Sequence, residues 1–158
     1  MKKIKLTQGK YALVDDEDYR LLKDFRWHAA LNKGNWYART SRNGRGSVGM
    51  HSIILWCPQN NGLVIDHING NGLDNRRKNL RVCTTQANGM NRKVSKKNKF
   101  GISGVRKVEK KITKRYWRAE IVFNGERIDL GAFRTKADAI KARKEAEKKY
   151  YGEYAPQC

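Results

Sequence analysis

The sequence predicts an α+β chain made of two small sheet-and-helix units joined by a basic linker. Three observations carry this. Residues 64–92 read as a strand, a polar loop, a second strand and a short helix. Residues 105–150 read as three antiparallel strands followed by one helix. Between them the run from Asn91 to Lys99 is polar and basic and lacks apolar periodicity, as expected of a linker lying along a polyanion.

The elements follow in chain order. Tyr11–Val14 is strand-like, and Asp15–Lys23 reads as a helix whose first-turn carboxylates suit the helix dipole. Trp27–Leu31 and Trp36–Arg39 form a hairpin around residues 32–35. Residues 41–46 are a basic, glycine-rich loop able to approach a phosphate backbone. In the second unit Val105–Val108 is a short strand. Along Arg115–Phe123 the residues Trp117, Ala119, Ile121 and Phe123 share one face and Arg118, Glu120 and Val122 the other. Asn124-Gly125 is a strong two-residue hairpin signal, and Arg127–Leu130 returns the chain. A capping residue at Thr135 opens a helix in which Ala139, Ala142, Ala146 and Tyr150 recur at helical spacing. Small alanines let that helix lie close on the sheet. The opposite sheet face is then free and carries Arg118, Glu120, Arg127 and Asp129, which suits contact with a nucleic-acid groove.

Charge narrows the partner. The 158 residues hold 35 Lys+Arg against 15 Asp+Glu, a net +20, far more than solubility needs. The excess divides evenly at residue 94, so both units are expected to meet a polyanion, from which each neutralised phosphate releases counterions. A hydrophobic content of 39% is enough for folded cores and excludes a disordered basic tail. No apolar run approaches a membrane span or a signal peptide. Cys57, Cys83 and Cys158 form no CxxC pair, which indicates neither a zinc knuckle nor a disulfide framework; a reduced, cytoplasmic protein is expected.

The segment from Val64 to Asn88 carries the chemistry. A short apolar strand ends in Asp66-His67, a loop rich in glycine and asparagine follows, Leu80–Thr84 is the second strand, and Thr84 or Thr85 caps a helix reaching Arg92. This unit can bring Asp66, His67, Asn79 and Asn88 together. Phosphodiester hydrolysis needs an activated water and a Lewis acid. A neutral imidazole, His67, can take the proton near pH 7. The Asp66 carboxylate and Asn88 amide oxygen suit a hard cation such as Mg²⁺ or Mn²⁺. Asn79 is placed to hold the loop and orient the His67 ring. Asp74 and Asn75 are candidates for further metal ligands, with loop capping the favoured role, and His51 is read as a packing or phosphate residue rather than a metal ligand. Arg76, Arg77, Lys78 and Arg81 flank the segment and are candidates to hold phosphates. Trp27, Trp36, Trp56 and Trp117 are expected to fill cores, and His28 to be structural.

The pattern Asp-His-Ile-Asn-Gly-Asn, Asp-Asn-Arg, Asn-Leu-Arg and then Thr-x-x-x-Asn resembles the HNH homing endonucleases of phages and introns, which have the ββα-metal fold. The resemblance covers at least residues 47–93, led in by Met50-His51. It implies metal binding by Asp66 and Asn88, His67 as general base, and Asn79 as the motif's structural asparagine. Many members have histidine where this chain has Asn88; the asparagine subclass implies nicking of one strand by a monomer. Residues 1–46 then form a β-rich extension of the nuclease domain, 47–93 its core and 94–99 the linker. Residues 100–158 resemble the AP2/ERF DNA-binding domain through Ser103–Arg106, Tyr116–Ile121, Leu130–Phe133 and Tyr151–Ala155. That resemblance implies a sheet lying in the major groove, with Arg106 and Arg127 at contact positions and Arg118 on the same face. Asp129 and Val108 stand where the family commonly has tryptophan and arginine, so the target sequence does not carry over.

These readings converge on a site-directed, metal-dependent endonuclease acting on double-stranded DNA, with Lys96 and Lys97 among its DNA contacts and no obligate protein partner. The alternatives are an inactive AP2-type DNA-binding regulator and a basic RNA-binding protein. The intact Asp66, His67, Asn79 and Asn88 argue against the first, and the lack of an aromatic stacking sheet against the second.

Overall fold

A computed structural model describes residues 1–41, 46–56, 62–92, 94, 98–108 and 116–156. The chain divides into two compact units, Met1–Asn88 and Gly89–Pro156.

In the first unit β1 (Lys2–Lys5) pairs antiparallel with β2 (Tyr11–Val14), and α1 (Asp16–Leu22) follows. A three-stranded sheet comes next, β3 (Trp27–Asn32), β4 (Asn35–Ser41) and β5 (Ser47–Gly49) in that order. Lys33 and Gly34 take positive φ at its tight turn, as such hairpins require. The short helix α2 (Met50–Leu55) leads to the site hairpin, β6 (Leu63–His67) and β7 (Leu80–Thr84), with a 3-10 turn at Arg77–Asn79 before β7. The helix α3 (Thr85–Met90) starts where the Ala87 N–H donates to Thr84 Oγ1 at 3.1 Å, and it stops two residues short of the Arg92 expected from sequence.

One core serves the whole unit. Val14, Leu22, Trp27, Ala38, Met50, Ile54 and Leu80 belong to the same buried cluster, so the segment from Ile4 to Ala38 packs with the hairpin rather than apart from it. The backbone repeats the point. Leu13 donates to Leu73 O and accepts from Asn75 N, each at 2.8 Å, so β2 holds the loop between β6 and β7 as an extra strand would. Trp56 departs from expectation. It is 84% exposed, because the chain leaves α2 through this residue in the left-handed conformation and turns the indole outward. The glycine-rich stretch at residues 42–45, Cys57 and Cys158 lie outside the described residues.

In the second unit β8 (Val105–Val108), β9 (Tyr116–Phe123) and β10 (Glu126–Phe133) form an antiparallel sheet in the order β10-β9-β8. Asn124-Gly125 makes the positive-φ turn its sequence predicts, and β10 runs past Leu130 through an irregularity between Asp129 and Gly131. The helix α4 (Lys136–Tyr151) is capped at Thr135, whose Oγ1 accepts from Asp138 N at 3.1 Å. It covers the face bearing Ala119 and Ile121. Its buried face keeps Ala139 and Ala146 but has Tyr151 in place of Tyr150 and Arg143 in place of Ala142; Arg143 donates to Glu120 O at 2.8 Å and to Glu147 at 3.0 Å. No helix of the described residues is long and apolar enough to cross a membrane.

Candidate functional site

The β6–β7 register puts Asp66 opposite Arg81 and His67 opposite Leu80. Asp66 and His67 are both buried. Asp66 Oδ2 accepts from Arg81 Nε at 3.0 Å and Nη2 at 2.7 Å, which fixes the carboxylate's orientation on the strand.

The loop after His67 is tied by its own polar side chains. Asn69 Oδ1 accepts from Asn71 N, and Asn71 Oδ1 from Leu73 N, two successive turns of the kind short amides favour. The buried Asp74 carboxylate accepts from Asn69 Nδ2 at 3.0 Å and from Arg76 Nε at 2.7 Å and Nη2 at 2.5 Å. The Arg76 guanidinium holds its carboxyl below the usual carboxylate range. Asp74 thus closes the loop, as the sequence suggests. Asn79 spans the loop: its Oδ1 accepts from Asn69 N at 3.0 Å and its Nδ2 donates to Asp74 O at 2.7 Å.

The amide beside the His67 ring is that of Asn75, not of Asn79. Asn75 is fully buried with its Oδ1 3.4 Å from His67 Nε2, a long contact, and its Nδ2 meets no hydrogen-bond partner among the described residues. Two rings complete the surroundings. The Tyr37 ring on β4 lies 5.9 Å from that of His67, and the His51 ring on α2 lies 5.1 Å from it, edge to face in both cases. Burial lowers the His67 basicity, opposed by the Asn75 contact and by the Asp66 and Asp74 charges. His51 is pushed down to about 4 by burial first, then by the charges of His67 and Arg39. Sequence reasoning singled out His51 but not its contact with His67, and it missed Tyr37 altogether. They lie on separate elements, and no motif spacing joins them to Asp66-His67.

Asn88 sits half-buried on α3. Burial, and then the Asp66 charge, push the thiol of the buried Cys83 on β7 up. No group of three His, Cys, Asp or Glu suited to a metal occurs among the described residues. One carboxylate and one amide oxygen fit a hard divalent ion that keeps most of its waters, and do not fit zinc.

The remaining candidate residues are engaged as follows. Arg76 is paired with Asp74, Arg81 with Asp66, and Arg77 with Asp18 of α1 at 2.7 Å. Arg77 also donates to Ile54 O of α2 at 3.2 Å. In the second unit Arg106, Arg118 and Arg127 lie on the open sheet face. Arg106 and Arg127 approach Glu120 at 4.0 and 3.4 Å, and Arg118 pairs with Asp129. Lys96 and Lys97 lie outside the described residues.

Comparison with known proteins bears on this same hairpin. The family model described as HNH endonuclease matches residues 57–90, a span that includes Asp66, His67, Asn79 and Asn88. An uncharacterized HNH endonuclease of Acanthamoeba polyphaga mimivirus is 25% identical over 152 residues, covering 94% of this chain and 74% of the relative. No solved structure matches. The chain carries an HNH endonuclease domain and is a nuclease, hence a hydrolase.

Proposed function

We propose that this nuclease is a site-directed, divalent-metal-dependent endonuclease of the homing type that nicks one strand of double-stranded DNA as a monomer. The observation that carries the reading is the single hairpin-and-helix unit in which Asp66 and His67 end one strand, Asn79 clamps the loop and Asn88 follows on the helix. Asp66 and Asn88 would hold the ion, Mg²⁺ or Mn²⁺. When bound, the ion supplies Lewis acidity at the scissile phosphodiester.

The protein's own residues do the rest. Arg81 holds the Asp66 carboxylate in place and limits its freedom to swing away. In this reading a neutral His67 carries its proton on Nε2, facing Asn75 Oδ1 at 3.4 Å. The lone pair is then at Nδ1, and that atom takes the proton from the attacking water. Asn79 keeps the loop closed, so that Asn75 stays beside the ring. Beyond the nuclease unit, residues 100–158 act as an AP2/ERF-like reader. Arg106, Arg118 and Arg127 on the open face of β8–β10 meet the DNA, with Lys96 and Lys97 following the backbone ahead of it.

Incubating supercoiled plasmid with the full-length protein and Mg²⁺ or Mn²⁺ tests the reading. Nicked circles should accumulate; they should disappear with chelator, and in the His67→Ala variant only a residual rate, about 10²- to 10⁴-fold lower, should remain. Nicking that continues unchanged in His67→Ala removes the base assignment; nicking that survives exhaustive chelation removes the metal.

A further inference from the structure

We infer that His51 and Tyr37 are positioning residues that fix the ring plane of His67, forming with it a set of three mutually perpendicular-leaning rings seated on two glycines. The inference rests on the reading of His67 as general base.

An imidazole at the end of a strand has a fixed Cα, but its χ2 torsion is soft and broad. Something must set the ring's direction if one nitrogen is to meet a water. The Asn75 contact, at 3.4 Å, is long for a hydrogen bond and restrains the ring only weakly. The two flanking rings supply the restraint. His51 stands at 86° to His67 with centroids 5.1 Å apart, and Tyr37 at 65° and 5.9 Å. They also meet each other at 6.3 Å and 69°, so neither can move off without disturbing the other. Edge-to-face packing at these separations is the arrangement aromatic rings prefer.

Each flanking ring occupies the place of a missing side chain. A Cβ on Gly49 would lie 2.6 Å from His51 Cε1 and 2.8 Å from its Nε2. A Cβ on Gly72 would lie 2.5 Å from Tyr37 Cδ1, 2.6 Å from Cε1 and 2.5 Å from the Trp36 carbonyl oxygen. Neither glycine has a positive φ, so neither is there for backbone freedom. What both positions require is room for a ring. His51 Nδ1 is sealed from solvent and meets no hydrogen-bond partner among the described residues. The ring therefore bears on its neighbour through its faces and edges, not through a bond from that nitrogen.

The test uses the full-length protein, supercoiled plasmid and Mg²⁺, with single-turnover nicking measured over a range of protein concentration. His51→Ala should lower the maximal rate by about 10- to 100-fold, the scale on which misplacement of a reacting group acts. Half-saturation should stay within about two-fold, because uniform binding is untouched. Gly49→Ala should give the same loss by pushing the His51 ring aside, and it carries the test if His51→Ala fails to fold. His51→Phe should recover most of the rate. In a His67→Ala background, His51→Ala should change the residual rate by less than about three-fold, because a residue acting through another has nothing left to act on. An equal loss in that background overturns the inference, as does an undiminished rate in both His51→Ala and Gly49→Ala. Wild-type nicking by His67→Ala would overturn the base assignment instead, and the two failures are thus told apart.

Discussion

Replacing Asn79 tests the site architecture most directly, because its side chain does two separable things. Its Oδ1 accepts from Asn69 N and its Nδ2 donates to Asp74 O, both within a part of the loop where Asp74 and Asn79 are buried. Asn79→Ala removes both bonds. Each is worth about 1 kcal/mol net, and the buried Asp74 carbonyl left without its donor adds about 1–3 kcal/mol. The expected loss is about 3–5 kcal/mol. Asn79→Asp keeps an acceptor for Asn69 N but sets a carboxylate against the Asp74 carbonyl, so at pH 7 it should cost at least as much. Once protonated, the introduced carboxyl can donate again; the carbonyl raises its folded-state pKa above the ordinary aspartate value, so this variant, unlike Asn79→Ala, should recover part of the loss as the pH falls toward about 4, with the recovery complete below that. Urea unfolding followed by tryptophan fluorescence in a Trp117→Phe background would read this, since Trp27, Trp36 and Trp56 all lie in the first unit. A change under about 0.5 kcal/mol for Asn79→Ala, or identical pH dependence for the two variants, would refute the clamp.

Other expectations follow from single contacts. Gly104 has φ +74° and a Cβ there would sit 2.1 Å from the Glu120 carbonyl oxygen, so Gly104→Ala should destabilise the second unit by at least about 2 kcal/mol in a Trp117 fluorescence melt. The carboxyl of Asp74 is held below its ordinary value of 3.8, chiefly by Arg76. Its stabilisation is fully present above that value and is lost as the pH drops through the lower folded one. Stability of Asp74→Asn should therefore fall less steeply than wild type in acid, as measured by unfolding at stepped pH. Asn88→Ala should raise the Mg²⁺ concentration for half-maximal nicking by about 10- to 100-fold with little change in melting.

Much of this arrangement is legible in sequence where local chemistry decides the structure. Asn124-Gly125 needs positive φ and turns where expected, and alternation along β9 correctly sorts Ala119 and Ile121 from Arg118 and Glu120. Strand β1 is hidden because Lys2–Lys5 contributes one buried residue, Ile4, and otherwise reads as a charge run. Helix α2 has only six residues, too few to show a period. The buried Arg143 is invisible because its burial depends on a carbonyl 23 residues away and on Glu147. Within the site, residue types foretell that asparagines hold the loop but not which of them lies beside His67. That is fixed by β2, which binds the backbone on both sides of Asp74 and carries Asn75 inward. Gly49 and Gly72 lack the positive φ that flags a glycine at a turn, so their need for space emerges only in three dimensions.

Burial also divides the arginines into two kinds, which net charge alone cannot do. Around the site, Arg76, Arg77 and Arg81 each pair with a carboxylate that is almost wholly buried, on Asp74, Asp18 and Asp66. Removing such a partner strands a buried charge, at about 3–5 kcal/mol. These pairs are fixed parts of the fold. On the open sheet face the pairs of Arg118 with Asp129 and of Arg127 with Glu120 have well-exposed arginines, and exposed pairs are worth about 0–1 kcal/mol. Such guanidinium groups can exchange their carboxylates for DNA at little cost. Arg127→Ala and Arg118→Ala should each weaken DNA binding with little change in stability. If the lost contact is to phosphate, the slope of log affinity against log salt should also fall by about one. Arg81→Ala should instead lower the melting temperature of the first unit. If Arg127→Ala and Arg118→Ala unfold the protein while Arg81→Ala does not, burial is the wrong criterion for separating structural arginines from those that grip DNA.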